Sequence, residues 1–254
     1  MTEVEEVGIP MSDGSTLPAA LARPSDAITG DQEAARVSRA GVVVIHEALG
    51  LNADIRRIAA RFADAGYVAL APDFLAGLGP KPFCIIRFAS GIGRTHVGRP
   101  YRQLQAAETW LRQRPEVAGG PIGLAGFCIG GGFALLHATS GEIDVVAPFY
   151  AAVPKDPETL AGSCPVVASF GGRDRVFGGG ESRLSAALDR LGIEHDVKTY
   201  PTAGHSFLNQ HGPVLSAIER RLPTRGGHDP AAAADAWART LAFFAAHLGA
   251  AAHV

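Results

Sequence analysis

Three residues at separate points of the chain have the chemical types of a nucleophile, an acid and a base. Cys128 stands between glycines placed two residues before and two after it, Asp174 follows Gly-Gly-Arg, and His205 lies in Ala-Gly-His-Ser-Phe. A thiol attacks a carbonyl carbon as the thiolate, and an imidazole oriented by a carboxylate can take up the thiol proton. The three types together predict acyl transfer through a covalent intermediate.

The sequence around Cys128 indicates a sharp turn between a strand and a helix. Gly126 and Gly130 flank the cysteine, after an apolar run and before a run of small residues. This is the nucleophile-elbow pattern with Cys in place of Ser, and the amino end of the helix favours the thiolate charge. A buried, inert cysteine in a glycine-rich turn would have the same local sequence.

The order of the three residues along the chain favours the catalytic interpretation. Asp174 and His205 each follow a predicted strand, so both fall at the strand ends where sheets of this kind bind ligands. Nucleophile, acid and histidine in this order are the order of α/β-hydrolases. Taken singly, Asp174 could form a turn and His205 could be solvated. Taken together with Cys128, they predict a catalytic triad.

The elements that must position the triad alternate between strand and helix. Asp13-Gly14 predicts an N-terminal hairpin, and the β-branched run 41–46 predicts a strand that helices cover on both faces. We expect an α/β-hydrolase fold: a mostly parallel central sheet with helices on both faces and an antiparallel N-terminal edge, in a single domain over residues 1–254. Further strands are predicted at 67–72, 122–126, 145–149, 166–170 and 195–200, and helices at 55–66, 101–112, 131–139, 183–191 and 231–248.

Composition excludes several classes of partner. The chain has 254 residues and a formal net charge of -2, so nucleic acid and acidic membranes are not expected partners. The first residues are acidic, and no apolar run approaches the roughly 18 residues that span a bilayer, which predicts a cytoplasmic protein. The 3 cysteines lack paired spacing and predict neither disulfides nor structural zinc. With no dinucleotide or phosphate-binding motif and no ligand-spaced histidines, we expect no cofactor and no metal.

The chain resembles the dienelactone hydrolase family from about residue 41 to residue 208. The resemblance implies that Cys128 is the nucleophile, that His205 is the base and then the acid, and that Asp174 orients the imidazole. The motifs that carry it are His46-Glu-Ala-Leu-Gly-Leu-Asn52, Ala71-Pro-Asp73, Gly126-Phe-Cys-Ile-Gly-Gly131, Gly171-Gly-Arg-Asp174 and Ala203-Gly-His-Ser-Phe207.

Glu47 and two backbone groups acquire roles through the same resemblance. In similar enzymes a glutamate at the position of Glu47 contacts the resting thiol and moves aside when substrate binds, although a solvated loop glutamate is the alternative. A carboxylate beside a thiol disfavours the thiolate because like charges repel. The oxyanion hole would be formed by the N–H groups of Ile129 and Ala48.

The resemblance weakens at the substrate-binding residues. Family members that hydrolyse the carboxylated lactone have an arginine shortly after the catalytic histidine, and here Asn209 stands in that place. A neutral amide cannot form a bidentate charged clamp. A second family arginine could correspond to Arg87 or Arg94, in the irregular segment 74–98, which is either a lid or a plain excursion.

These residues predict a monomeric hydrolase that cleaves a small ester or lactone. A general carboxylesterase or thioesterase with the same triad is the alternative among enzymes. From a different class, a non-catalytic thiol redox-sensing or binding protein could also keep a cysteine at a helix amino end. Such a protein would not need an acid-oriented base, so Asp174 and His205 argue against it.

Overall fold

The structure, a computed structural model, describes residues 2–25, 38–79 and 98–249. Most of the irregular segment 74–98 therefore lies outside the described residues. Arg87 and Arg94 lie there too, so their proposed part in substrate binding stays a prediction.

Eight strands form one mostly parallel sheet. In chain order they are β1 Val4–Pro10, β2 Thr16–Ala22, β3 Gly41–Ile45, β4 Val68–Pro72, β5 Ile122–Phe127, β6 Val145–Phe149, β7 Val166–Gly171 and β8 His195–Tyr200. Their order in the sheet is β1-β2-β4-β3-β5-β6-β7-β8. β1 and β2 pair antiparallel, as do β2 and β4, whereas β3 with β4, β6 with β7 and β7 with β8 are parallel. The predicted fold class, with its antiparallel N-terminal edge, is confirmed.

The helices follow the predicted alternation, with two additions. They are α1 Ala53–Asp64, α2 Arg99–Arg112, α3 Ile129–His137, α4 Gly180–Leu191, α5 Pro213–Glu219 and α6 Pro230–Leu248, with a 3-10 turn at Pro157–Leu160. The sequence analysis missed α5 and the 3-10 turn. Each begins with proline and is short, and α5 buries no residue, so neither shows the apolar period that identifies a helix. Among the described residues, no helix is long and apolar enough to cross a bilayer.

The chain divides into two compact units, of which the first comprises residues 1–124 and 248–254. The predicted hairpin joins β1 and β2, and Gly14 takes a φ of 81° in its turn. β3 and β4 are fully buried, which accounts for their continuous apolar sequences. Asn52 begins α1 by accepting hydrogen bonds from the N–H groups of Asp54 and Ile55, and α1 packs against β2 and β4.

The second unit comprises residues 125–247. β6 and β7 are fully buried, α3 packs against β6, and α4 packs against β7 and β8. The rings of Phe127 and Phe149 stack with centroids 4.8 Å apart, which fixes the end of β5 beside the end of β6. The boundary between the units falls inside β5, and the single domain remains a prediction.

Candidate active site

Cys128 occupies a strained turn between β5 and α3. Its φ of 56° and ψ of -117° are values that residues other than glycine rarely adopt. Its N–H donates to the carbonyl of Phe149 at 3.1 Å, and its carbonyl accepts from the N–H groups of Gly131 and Gly132 at 3.0 and 3.1 Å. These bonds hold the turn and leave the half-buried thiol at the amino end of α3.

The glycines of the elbow permit a backbone approach that no other residue would allow. A Cβ at Gly126 would lie 2.3 Å from the carbonyl oxygen of Gly130. A Cβ at Gly131 would lie 3.0 Å from the carbonyl oxygens of Gly126 and Phe149. The glycine spacing in the sequence thus has the steric cause that the elbow pattern predicts.

Asp174 and His205 form a buried hydrogen-bonded pair. Nδ1 of His205 lies 2.6 Å from Oδ2 of Asp174, and the side chains are 9% and 2% exposed. Oδ1 of Asp174 accepts from the N–H groups of Val176 and Phe177 at 3.0 and 3.2 Å, so the carboxylate is held at both oxygens. With Nδ1–H donating to Asp174, Nε2 is the ring nitrogen available to the thiol.

His205 is also hydrogen-bonded to Cys128, which belongs to the same unit. Burial by itself lowers the pKa of His205, but hydrogen bonds to Asp174 and to Cys128, and the negative charges of both groups, outweigh it and raise that pKa to about 9. The imidazole therefore favours its protonated form near neutral pH. The three predicted triad residues lie in one hydrogen-bonded chain.

The loop that carries His205 is fixed through its backbone. The N–H of His205 donates to the carbonyl of Thr224 at 2.9 Å, and its carbonyl accepts from Gly227 at 3.0 Å. A Cβ at Gly204 would lie 1.7 Å from the carbonyl oxygen of Arg225, so only glycine fits before the histidine. These contacts hold the histidine where the sequence alone indicated no more than a loop after β8.

Two aromatic residues that the sequence analysis missed contact the imidazole. The ring of Phe177 stacks on that of His205 with centroids 4.9 Å apart and 24° between planes, and the ring of Tyr150 lies 4.9 Å away at 58°. Tyr150 directly follows β6, the same kind of position that identified Asp174 and His205. Its place after a strand was the available signal; Phe177 had none.

Glu47 and Ala48 belong to the first unit. Glu47 is buried, and its carbonyl accepts from the N–H of Gly50 at 3.1 Å and from Nδ1 of His46 at 2.7 Å. Nε2 of His46 accepts from the N–H of Phe74 at 3.0 Å. Complete burial lowers the pKa of His46, so the ring stays neutral, as an accepting Nε2 requires. His46 thus joins the loops after β3 and β4 and fixes the backbone that leads into Ala48.

Two more predicted site residues, Asn209 and Ile129, and the second described cysteine, Cys164, lie in different surroundings. Asn209 is 1% exposed, and its Oδ1 accepts a hydrogen bond from the hydroxyl of Tyr150. Cys164 has a pKa raised to about 12 by burial, which makes it a poor nucleophile. Ile129, the first residue of α3, is in position to present its N–H beside the thiol. Within the described ranges, no group of His, Cys, Asp and Glu side chains could hold a metal ion.

A mostly parallel sheet with a nucleophile elbow after one strand, and an acid and a histidine after later strands, defines the class of α/β-hydrolases. The model of the dienelactone hydrolase family matches residues 26–248. The chain belongs to the dienelactone hydrolase family, and it is a hydrolase of the carboxylic ester type.

The chain is also similar to individual proteins and to solved structures. The carboxymethylenebutenolidase of Pseudomonas putida is 27% identical over 245 residues, which cover 86% of this chain and 94% of that protein. Protein usf of Aquifex pyrophilus is 29% identical over 219 residues, covering 82% and 88%. The crystal structure of a dienelactone hydrolase-like promiscuous phosphotriesterase from metagenomic libraries superposes with a TM-score of 0.78 at 24% identity, covering 98% of this chain and 99% of that one.

Proposed function

We propose that the chain hydrolyses a small ester or lactone through a covalent thioester on Cys128. The observation that carries the proposal is the hydrogen-bonded chain from Asp174 through His205 to the Cys128 thiol. A reactive thiol at a helix amino end and an acid-oriented imidazole are what covalent acyl transfer requires. The motif correspondence with the family supports these roles.

The reaction begins with the thiolate and imidazolium pair. The sulfur of Cys128 attacks the carbonyl carbon, the C–O bond breaks, and the alkoxide leaves with the proton from Nε2 of His205. Water then gives a proton to His205 while its oxygen attacks the thioester carbon. The C–S bond breaks, the carboxylic acid leaves, and the thiolate and imidazolium are restored.

Backbone donors would stabilise the oxyanion that forms in each step. Ile129 and Ala48 are the proposed donors, the first at the amino end of α3 and the second after β3. Glu47 is proposed to oppose thiolate formation until substrate binds, because two negative charges a few ångströms apart repel. The hydrogen bond from His46 to the carbonyl of Glu47 fixes the backbone at that point, and the role of the carboxylate rests on the family resemblance.

The proposed substrates are uncharged at the position where the dienelactone carries its carboxylate. Asn209 replaces the family's arginine, and its oxygen is already used by Tyr150. Esters with good leaving groups suit a thiol nucleophile, whereas amides do not, because an amine leaves less readily than a thiolate. A general carboxylesterase or thioesterase with the same triad is the second candidate. We also propose a monomer acting in the cytoplasm, where a thiol nucleophile stays reduced.

Hydrolysis of p-nitrophenyl acetate by the purified protein tests the mechanism. We expect Cys128→Ala and His205→Ala each to lower kcat by at least about a thousandfold, since triad members act as a unit. Cys164→Ala is the matched control and should keep wild-type turnover. Iodoacetamide should label Cys128 before Cys164.

The outcomes separate the candidates. Unchanged hydrolysis in Cys128→Ala would refute the nucleophile, and labelling of Cys128 without turnover of any ester would favour the thiol-sensing protein. A panel of neutral aryl esters, thioesters, simple lactones and a carboxylated lactone distinguishes the substrate classes. The neutral lactones and esters should have the higher kcat/KM.

A further inference from the structure

Tyr150 adopts a backbone conformation that needs an explanation. It directly follows β6 and has a φ of 40°, in the left-handed region that favours glycine. Its side chain is fully buried, and its N–H donates to the carbonyl of Ser169 on β7 at 2.8 Å. Such strain persists where the surroundings enforce it, and it concentrates at functional sites.

The hydroxyl of Tyr150 is used inside the loop of the catalytic histidine. It donates to Oδ1 of Asn209, which is itself almost completely buried. The N–H of Asn209 donates to the carbonyl of Ser206 at 3.0 Å, and Ser206 has a φ of 57°. The turn after His205 is thus closed by its own backbone bond and fastened to the end of β6 by the tyrosine.

The ring of Tyr150 contacts the same loop at two further points. Its centroid lies 4.9 Å from the imidazole of His205 and 5.5 Å from the ring of Phe207, the latter in an edge-to-face arrangement. Tyr150 therefore limits both the position of the loop and the tilt of the imidazole.

We propose that Tyr150 and Asn209 form a positioning pair that holds His205 where one nitrogen meets Asp174 and the other meets the Cys128 thiol. The inference rests on the proposed function. It assigns Asn209 to the support of the histidine rather than to contact with substrate, and it explains why a buried amide stands where family members place an arginine.

The effect of the pair on catalysis follows from geometry. Both proton transfers of His205 need Nε2 within hydrogen-bond reach of the thiol or water, and small displacements lower the rate steeply. Among the described residues, the imidazole is contacted by Asp174, Cys128, Tyr150 and Phe177. Tyr150→Phe keeps a ring beside the imidazole and removes the hydroxyl that bonds the loop at Asn209.

The test compares Tyr150→Phe, Asn209→Leu and the double variant. We expect each single change to lower kcat for p-nitrophenyl acetate about tenfold or more while KM stays within about twofold, because positioning acts on the transition state. The double variant should be no slower than the slower single one, because both changes remove the same bond. The rate of Cys128 alkylation by iodoacetamide should change with pH as the thiol and, at higher pH, the His205 imidazole lose their protons. The apparent pKa of this second step should be lower in all three variants than in the wild type.

Tyr200→Phe is the matched control. Tyr200 also packs on Phe207, with centroids 5.1 Å apart, and its hydroxyl also donates to a side chain, that of Asp235. Tyr200→Phe removes a tyrosine hydroxyl that bonds Asp235 rather than Asn209. We therefore expect it to lower the melting temperature while kcat and the alkylation profile stay unchanged.

Additive losses in the double variant would overturn the proposal. A Tyr150→Phe protein with wild-type kcat and an unshifted alkylation profile would overturn it too, as would equal effects in Tyr200→Phe. The alkylation measurement needs no ester substrate. If no ester is hydrolysed by any form, the proposed function fails, whereas the shift in the alkylation profile still decides whether the pair positions His205.

Discussion

The His205 imidazole has hydrogen-bonding partners for both of its nitrogens. Asp174 accepts from Nδ1, its second oxygen is occupied by two backbone N–H groups, and the thiol of Cys128 faces the other nitrogen. Each contact favours the protonated ring, so burial fails to keep it neutral. The residue that must later accept a proton from water therefore starts the reaction as the acid.

The raised pKa of His205 makes stability depend on pH. A group whose pKa is higher in the folded than in the unfolded state stabilises the fold fully below the unfolded value of 6.5, and this contribution is lost as pH rises to about 9. The difference in free energy of unfolding between wild type and His205→Gln should accordingly shrink from pH 6 to pH 9, measured by urea unfolding. A difference that stays constant over this range would contradict the ion pair.

At the scale of single residues, the sequence predicted the triad from residue type and order. Tyr150 was missed because a tyrosine after a strand has no chemical signature of its own. The substrate-binding position of Asn209 was predicted from the family alone and stays a prediction, because the sequence does not show that this side chain is buried. Glu47 has meaning only through the family, since nothing in its spacing distinguishes it from a solvated carboxylate.

The elbow between β5 and α3 is the element on which the site depends. Its glycines allow the strand and the helix to approach until backbone oxygens occupy the space of a side chain. The predicted start of α3 fell two residues too late, at 131 instead of Ile129, because the glycine run has low helix propensity and the turn forces the helix to begin at once.

Gly126→Ala should distort this elbow. The new Cβ would lie 2.3 Å from the carbonyl oxygen of Gly130. Because backbone must move, we expect the free energy of unfolding to fall by about 1–3 kcal/mol and esterase activity to fall with it. Gly212→Ala, where a Cβ meets nothing within 4 Å, is the control and should change stability by less than about 0.5 kcal/mol. Equal stability of the two variants, measured by urea unfolding, would refute the steric account of the motif.

At the scale of the whole molecule, strand positions were predicted closely because buried parallel strands have unbroken apolar sequences. α5 was missed because it is short and exposed. Its own apolar residues Val214 and Ile218 are exposed, and no periodic pattern separates such a segment from a loop. The alternation of strand and helix predicted a mostly parallel sheet, whereas the order of the strands within it was not predicted.

The predicted single domain implies one cooperative unfolding transition. The boundary between the two units divides β5, a fully buried strand, so neither unit keeps an intact β5 by itself. We expect scanning calorimetry to show one peak whose calorimetric and van't Hoff enthalpies agree. Two separated transitions would indicate that the units fold independently.

The most direct test of the central claim is to acid-quench the protein during turnover of p-nitrophenyl acetate and locate the acyl group by peptide mass spectrometry. The acetyl group should be found on the peptide that contains Cys128, and it should be absent in Cys128→Ala. An acetyl group on any other residue of a protein that still turns over, or continued turnover by Cys128→Ala, would contradict the account.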